Sequence, residues 1–293
     1  MRKLIVDEKY NNKKLSTFIF GKFPNLNSNT LFKALRKKDI RINNIKTSEN
    51  QVIYTGDEIT IFITDDFLLG NKNMIIDIVF EDDNILVVNK PEGISVIENK
   101  TDPQDLTSIL KNKLNKTLFP CHRIDRNTKG LVLYAKNEIA HEILLEKFKN
   151  HEIEKHYLAI VYGFPSKEKD IIEAYLFKDS KKGIVYISDV FKKGYQKIIT
   201  EYKVIKKDYK LNTTHLDITL HTGKTHQIRA HLAHIGLPII GDGKYGKNDI
   251  NKKFSKKSQE LYSYSLTFNF RNDSKLLNYL NNKTIKLQNI TNK

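Results

Sequence analysis

The chain of 293 residues carries 50 lysines and arginines against 34 acidic residues, a formal net charge of +16 with a pI near 9.5. Hydrophobic residues make up 39%, too many for a disordered chain, and no apolar run approaches the ~20 residues of a membrane span. One cysteine excludes an internal disulfide framework and suits a reducing compartment, while the positive excess favours a polyanionic partner, nucleic acid above all, over a merely solvated lysine surface.

The opening "MRKLIVDEKYNNKK" has too short an apolar stretch for a secretory signal, and an acidic pair breaks it, so a cytoplasmic location is expected. Residues 1–70 read as a unit of their own. "KKLSTFIFGKF" places Leu15, Phe18 and Ile19 on one helical face. "NSNTLFKALRKKD" reads as a second helix with Ser28 or Asn29 as its cap and Leu31, Phe32 and Leu35 as its apolar stripe. "IRI", the turn "NN" and "GDEITIFI" then read as short strands. Lys33, Arg36, Lys37, Lys38 and Arg41 fall on the second helix and just after it. This order of helices, basic turn and strands resembles the alpha-L RNA-binding module of a small-subunit ribosomal protein. The resemblance implies that Arg36, Lys37 and Arg41 contact RNA; the alternative is a basic cap with no ligand.

Residues 65–75 read as a linker, and a second domain is expected over 76–293. "IDIVFEDDNILVVNK" reads as a hairpin, "DPQDLTSILKNKL" as a helix and "GLVLYAK" as a buried strand. "NEIAHEILLEKFKN" reads as a helix capped by Asn137, and "KHYLAIVYG" as a strand. Four strands follow to Leu220, then the helix "THQIRAHLAHI", the strand "LYSYSLTFNF" and a polar tail with one short helix at "LLNYL". Many strands with few helices, in mixed order, predict an α+β domain on a mixed, largely antiparallel sheet.

Arginine is rare: positions 2, 36, 41, 123, 126, 229 and 271 only. In a lysine-rich chain an arginine suggests a need for a planar, forked donor. Two of the seven flank Asp125 in "CHRIDRNTKG". That lone carboxylate in a basic loop reads as a metal ligand with Cys121 and His122, as a structural ion pair, or as a reactive group held by arginine. A cation beside two arginines is electrostatically poor, and a Cys–His catalytic pair normally comes from distant segments. "GKT" at 223–225 lacks the glycine-rich loop of a nucleotide-binding motif. His226, His231 and His234 come with no "HExxH" and no cysteine pair, so no metal site is expected. The ion pair and the reactive carboxylate remain open on the residues alone.

"HRIDRNTKGLVLYAK" resembles the "HRLDRxTSGLLLFAK" signature of the RluA-type RNA pseudouridine synthases. "ILVVNKPEGISV", "EKHYLAIVYG" and "TGKTHQIRAHLAHIGLPIIGD" resemble three further blocks of that family, in family order, and the likeness runs over about residues 12 to 270. It is greatest to the branch acting on large-subunit ribosomal RNA. Lys129, Lys224 and Leu237 depart from the family pattern. They bear on substrate choice, because the carboxylate, the tyrosine and the helix arginine are all kept. The resemblance implies Asp125 as the catalytic carboxylate, Arg229 as its bidentate partner, Tyr157 as the residue packed against the target base, and Arg123 as the side chain that fills the RNA stack when the base leaves. Arg126 and Lys90 are expected to hold phosphates. The reaction moves no atoms in or out, so no cofactor and no metal are expected. RNA is the one partner implied, with no membrane, no obligate protein partner and a monomeric chain. The alternatives are a catalytically silent RNA-binding or ribosome-assembly factor on the same fold, and a synthase acting on transfer RNA.

Overall fold

The computed structural model describes residues 1–24, 26, 28–63, 68, 75–97, 105–256 and 258–288. They fall into two units, Met1–Ile75 with Ile97–Ile109, and Ile76–Val96 with Leu110–Lys293. The expected linker lies, apart from Leu68 and Ile75, outside the described residues. Of the described residues beyond Ile75, Ile97 and 105–109 group with the first unit. No helix among the described residues is long and apolar enough to cross a membrane.

The first unit holds more sheet than its sequence suggested. Strands β1 (Arg2–Ile5), β3 (Ile40–Ile42), β4 (Ile45–Thr47) and β6 (Glu58–Ile61) form an antiparallel sheet in the order β1-β6-β3-β4, and β2 (Lys13–Lys14) pairs with β5 (Val52–Ile53). Helices α1 (Leu15–Lys22) and α2 (Ser28–Arg36) supply Leu15, Phe18, Ile19, Leu31 and Leu35 to a core shared with Ile40, Ile53, Ile59 and Ile61. Ser28 is already helical, and the position before it lies outside the described residues. Phe32, expected in the apolar stripe, is 39% exposed, and Ala34 is buried instead. The helical period explains this: residues three and four apart share a face, so 31, 34 and 35 belong together and 32 is turned about 100° away.

Helix α3 (Leu106–Leu114) leads into the second unit. There β7 (Asp77–Glu81), β8 (Ile85–Lys90), β9 (Phe119–Pro120), β10 (Lys129–Ala135), β11 (Ile153–Tyr162), β12 (Lys169–Asp179), β13 (Ile184–Ser188), β14 (Gln196–Asp208), β15 (Thr213–Leu220), β16 (Leu261–Phe268) and β17 (Thr284–Lys286) form one sheet. Its main path runs β13-β12-β14-β15-β11-β16-β10-β8-β7, with β17 on β16 and β9 on β10. Among the described pairings only β10 with β16 is parallel, so the sheet is the mixed, largely antiparallel one expected.

Helix α4 (Glu138–Lys149) starts where the Asn137 side chain accepts the Ala140 N–H. Its Ala140 and Leu144 join Val87, Leu131, Leu133 and Phe268 in the main core. Helix α5 (Gln227–His234) packs on β13 and β14, with Ala230 against Ala174, Leu176, Val185 and Ile198. Helix α6 (Asn248–Lys253) and a short 3₁₀ turn at Lys275–Leu280 complete the unit. At the start of β10, Gly130 has φ +116°, and a Cβ there would stand 2.1 Å from the Ser263 carbonyl oxygen. Only glycine lets β10 approach β16 at this point. That approach sets the loop just before it against the sheet.

Candidate active site

The Asp125 loop lies between β9 and β10, and its backbone is fastened on both sides. The Cys121 N–H donates to the Leu133 carbonyl, and the Leu133 N–H donates to His122 Nε2 at 3.1 Å. The Thr128 N–H closes a turn onto the Asp125 carbonyl, and Gln259 donates to the Thr128 hydroxyl at 2.7 Å. Cys121 is buried, and burial pushes its thiol up to about 12. It is a packing residue without thiolate character.

Lys90 departs from expectation. It is fully buried, and its ammonium donates to the carbonyls of Pro91, Ile94 and Arg126 at 2.8, 2.8 and 2.9 Å. Burial lowers it to about 7, with Asp125 acting in the opposite sense. With all three donors spent on backbone oxygens it cannot hold a phosphate. Its role is to clip the 91–94 turn to the Asp125 loop, and the Gly93 N–H and the Arg126 Nε–H close the same junction. The family-like "VNKPEG" block is therefore scaffold beneath the loop.

Arg229 enters from the first turn of α5. The sequence expectation was a bidentate grip on Asp125. Instead Nε and Nη2 close a fork on Asp242, at 2.7 Å to Oδ2 and 2.9 Å to Oδ1, and Nη1 alone donates to Asp125 Oδ2 at 2.9 Å. Arg229 and Asp242 side chains are 8% and 1% exposed, Asp125 25%. The reason is geometric: Asp242 lies eight residues past α5, after a segment that pairs with β11 at Ile239, and is aimed by the Lys244 and Tyr245 N–H groups, which donate to its Oδ1. Burial is the largest influence and acts to raise the Asp242 carboxyl, but the hydrogen bonds and charge of Arg229, with the Lys244 and Tyr245 N–H groups, together outweigh it and hold the group below the usual range. Burial likewise opposes the Arg229 charge, and its two carboxylates drive its pKa up. The guanidinium is also stacked on Tyr245, 5.2 Å from the ring centroid.

The start of α5 is equally fixed. Gln227 accepts from the Thr222 hydroxyl and the Lys224 N–H, and donates to Thr200 Oγ1 and the Ile199 carbonyl. His226 caps the helix in the left-handed region, φ 54°, with Nδ1 2.8 Å from the Tyr245 hydroxyl. A non-glycine residue in that region carries strain of the kind found at functional sites. His231 is hydrogen-bonded to Thr200, and His234 to Asp189.

A cleft of about 110 Å³ is lined by Arg123, Asp125, Lys155, Tyr157, Gly223, Lys224, His226 and Arg229, among others. One water needs only ~10–15 Å³ on this measure, so the cleft admits a flat heterocycle. Tyr157 comes from β11 beside a bulge against β16 and is 6% exposed. Burial, then the negative charge of Asp125, raises its phenol, so it is a neutral donor with an apolar face. Arg123 is exposed at the rim and makes no hydrogen bond or ion pair among the described residues. Arg126 is exposed, with Nε on the Gly93 carbonyl.

In the first unit, Arg36 and Lys37 are exposed at the end of α2, while Arg41 lies on β3 with its guanidinium 4.8 Å over the Phe62 ring. Asp242, Tyr245 and Lys155 were not singled out from sequence, and His226 was weighed there only as one of three histidines without a metal pattern. Asp242 alone left a signal, as the acid that ends the apolar run "LPIIGD".

Residues 84–234 match the family model described as RNA pseudouridylate synthase. A ribosomal large subunit pseudouridine synthase C of Rickettsia bellii is 32% identical, over 83% of this chain and 85% of that protein. An uncharacterized RNA pseudouridine synthase of Mycoplasma capricolum is 32% identical over 97% of both chains. Among solved structures, human RNA pseudouridylate synthase domain containing 1 superposes with a TM-score of 0.58 at 22% identity, over 68% of this chain and 80% of that one, a likeness of fold. The matched segment runs from the turn before β8 to the end of α5 and so holds Asp125, Tyr157 and Arg229 together, and the chain belongs to the RNA pseudouridylate synthase family.

Proposed function

We propose that the protein isomerises uridines of large-subunit ribosomal RNA to pseudouridine, with Asp125 as the reacting carboxylate. The observation that carries this is the Asp125 carboxylate itself: partly open to the cleft, held at 2.9 Å by one Arg229 N–H, and lined up with Tyr157 in the same cleft. The ribosomal substrate is supported by the names of relatives from Rickettsia bellii and Buchnera aphidicola.

In the reaction the N1–C1′ bond breaks, the uracil turns, the C5–C1′ bond forms, C5 loses its proton and N1 takes one up, so that no atom is gained or lost. An ionised carboxylate serves as nucleophile toward ribose or ring, or as the base that takes a proton to give a glycal. In each case Arg229 keeps it charged and aimed. The Tyr157 ring offers the turning base a stacking face while its buried hydroxyl stays protonated. Arg123, unpartnered at the rim, fills the RNA stack when the uridine leaves it. Arg126 at the loop, and Arg36, Lys37 and Arg41 in the first unit, contact the RNA.

The test is Asp125→Asn, which keeps size and an acceptor for Arg229 but is a poor nucleophile and base. Pseudouridine yield on large-subunit transcripts should fall to background with RNA affinity kept within about threefold. Retained turnover would refute Asp125 as the reacting group, and wild-type turnover on transfer RNA alone would replace the ribosomal substrate. A wild type that binds RNA tightly and modifies none would favour the silent binder.

A further inference from the structure

Lys155 stands out among the cations of the second unit. It lies on β11 two residues before Tyr157, so both side chains leave the same face of the strand, and both line the cleft. Its stem passes the Phe148 ring, with Nζ 5.2 Å from the centroid, and Nζ ends 3.9 Å from the point where a Cβ on Gly223 would stand. The two buried lysines among the described residues of this unit are supplied with acceptors, whereas Lys155 is part-buried: Lys90 meets three carbonyls, and Lys147 meets Glu152 at 2.8 Å and the Asn272 carbonyl. Lys155 makes no hydrogen bond or ion pair among the described residues. The one carboxylate lining the cleft, Asp125, is held by Arg229. Burial lowers the Lys155 ammonium, with no acid acting against it.

A cation drawn partly out of water with a ring face beside it and no acceptor keeps part of its desolvation cost, which an acceptor on a ligand would repay. A neutral carbonyl repays it weakly and an anion about twice as well. We infer that Lys155 is a phosphate subsite of the cleft, taking a phosphodiester that flanks the displaced uridine. This rests on the reading of the cleft as the place where the uridine is isomerised. Gly223 fits the same picture, since a position without a side chain leaves the backbone of an RNA strand free to come close to the ammonium.

The experiment is a binding cycle. Short RNA substrates carry a neutral methylphosphonate at the 5′ or the 3′ phosphate of the target uridine. They are compared with the all-phosphate RNA on wild type and on Lys155→Met, which keeps an unbranched stem against Phe148. One of the two methylphosphonates should weaken wild-type binding about tenfold and leave Lys155→Met binding unchanged. The variant alone should bind all-phosphate RNA about tenfold more weakly. Because the ammonium has no hydrogen-bond acceptor in the free protein and only the Phe148 ring beside it, Lys155→Met, whose thioether can also pack on that ring, should also unfold at an equal or higher urea midpoint. Equal losses in both proteins at both positions would overturn the subsite, as would a lowered urea midpoint. Pseudouridine yield of the wild type on the all-phosphate RNA is read in the same samples. Its absence there would strike the catalytic reading of the cleft and not the binding cycle.

Discussion

The Arg229 guanidinium closes its planar fork on Asp242 and reaches Asp125 with a single remaining N–H. The residue nearest the chemistry is therefore aimed by a second carboxylate that lines no part of the cleft. A buried pair of this kind is costly to break, because the surviving partner is left as an uncompensated charge, at about 3–5 kcal/mol. Asp242→Asn should lower stability by that order. It should also free the guanidinium to swing toward Asp125, and misplacement of about an ångström costs on the order of a hundredfold in rate. Single-turnover pseudouridine formation on saturating RNA should fall by about that factor, with RNA affinity within about threefold. A near-normal rate in a destabilised variant would make Asp242 a structural acid only.

Arg229→Lys keeps the charge and removes the fork. An ammonium is a point donor; it cannot span both Asp242 oxygens in one plane and also reach Asp125. We expect at least a hundredfold loss of single-turnover rate with little change in RNA affinity. A rate near wild type would show that charge alone suffices. A large affinity loss at a normal rate would move Arg229 to the RNA-binding surface.

Which parts of this were legible in the sequence follows from the range of the interactions involved. The Asn137 cap, the β7–β8 hairpin and the buried β10 strand are local patterns and were read directly. So was the mixed, largely antiparallel character of the sheet, because it follows from many strands with few helices. The pairing of β1 with β6 joins residues some fifty positions apart, and nothing local in "RKLI" marks it as a strand. The meeting of Asp125 with Arg229, 104 residues on, came from resemblance and not from periodicity. The choice of Asp242 over Asp125 for the fork depends on a turn geometry that composition does not encode. Lys90 was misassigned because its residue type suggests phosphate, whereas its burial, visible only in three dimensions, reserves it for backbone carbonyls.

In the first unit, Arg36 and Lys37 are exposed and carry no packing role, so their loss should affect only long-range charge and direct contacts. Arg36→Gln combined with Lys37→Gln should leave the urea midpoint unchanged. If both side chains meet phosphates, the slope of log K against log salt should fall by about 1.4 to 1.8, from 0.7 to 0.9 per contact. Affinity should drop most at low salt, and single-turnover rate on saturating RNA should hold. An unchanged slope would remove this face of the unit from the RNA interface.

Acid stability offers an independent check on how the Asp125 loop is anchored. His122 accepts the Leu133 N–H on Nε2 and is held neutral by burial, which lowers it to about 3. His231 is lowered to about 4 by the same cause. In the unfolded chain both return to about 6.5. Below 6.5 the unfolded state therefore binds protons that the folded state refuses. The stability these residues contribute is complete above that value and is lost as the pH falls toward 4. From pH 7.5 to 5.5 each histidine should cost about 1.4 kcal/mol, since the unfolded side chain is then about nine-tenths protonated. His156 acts in the opposite sense, because Asp217 raises it, while burial lowers His215 and His226 and adds to the loss, so the wild-type total is not the sum of these two alone. The His122 share is isolated by His122→Gln, which keeps an acceptor for Leu133 and does not titrate. Urea unfolding of both proteins at pH 7.5 and 5.5 should show the wild type losing about 1.4 kcal/mol more than the variant over that interval. Equal losses would mean that His122 takes up its proton in the folded state, and that the hydrogen bond anchoring the Asp125 loop to β10 is made some other way.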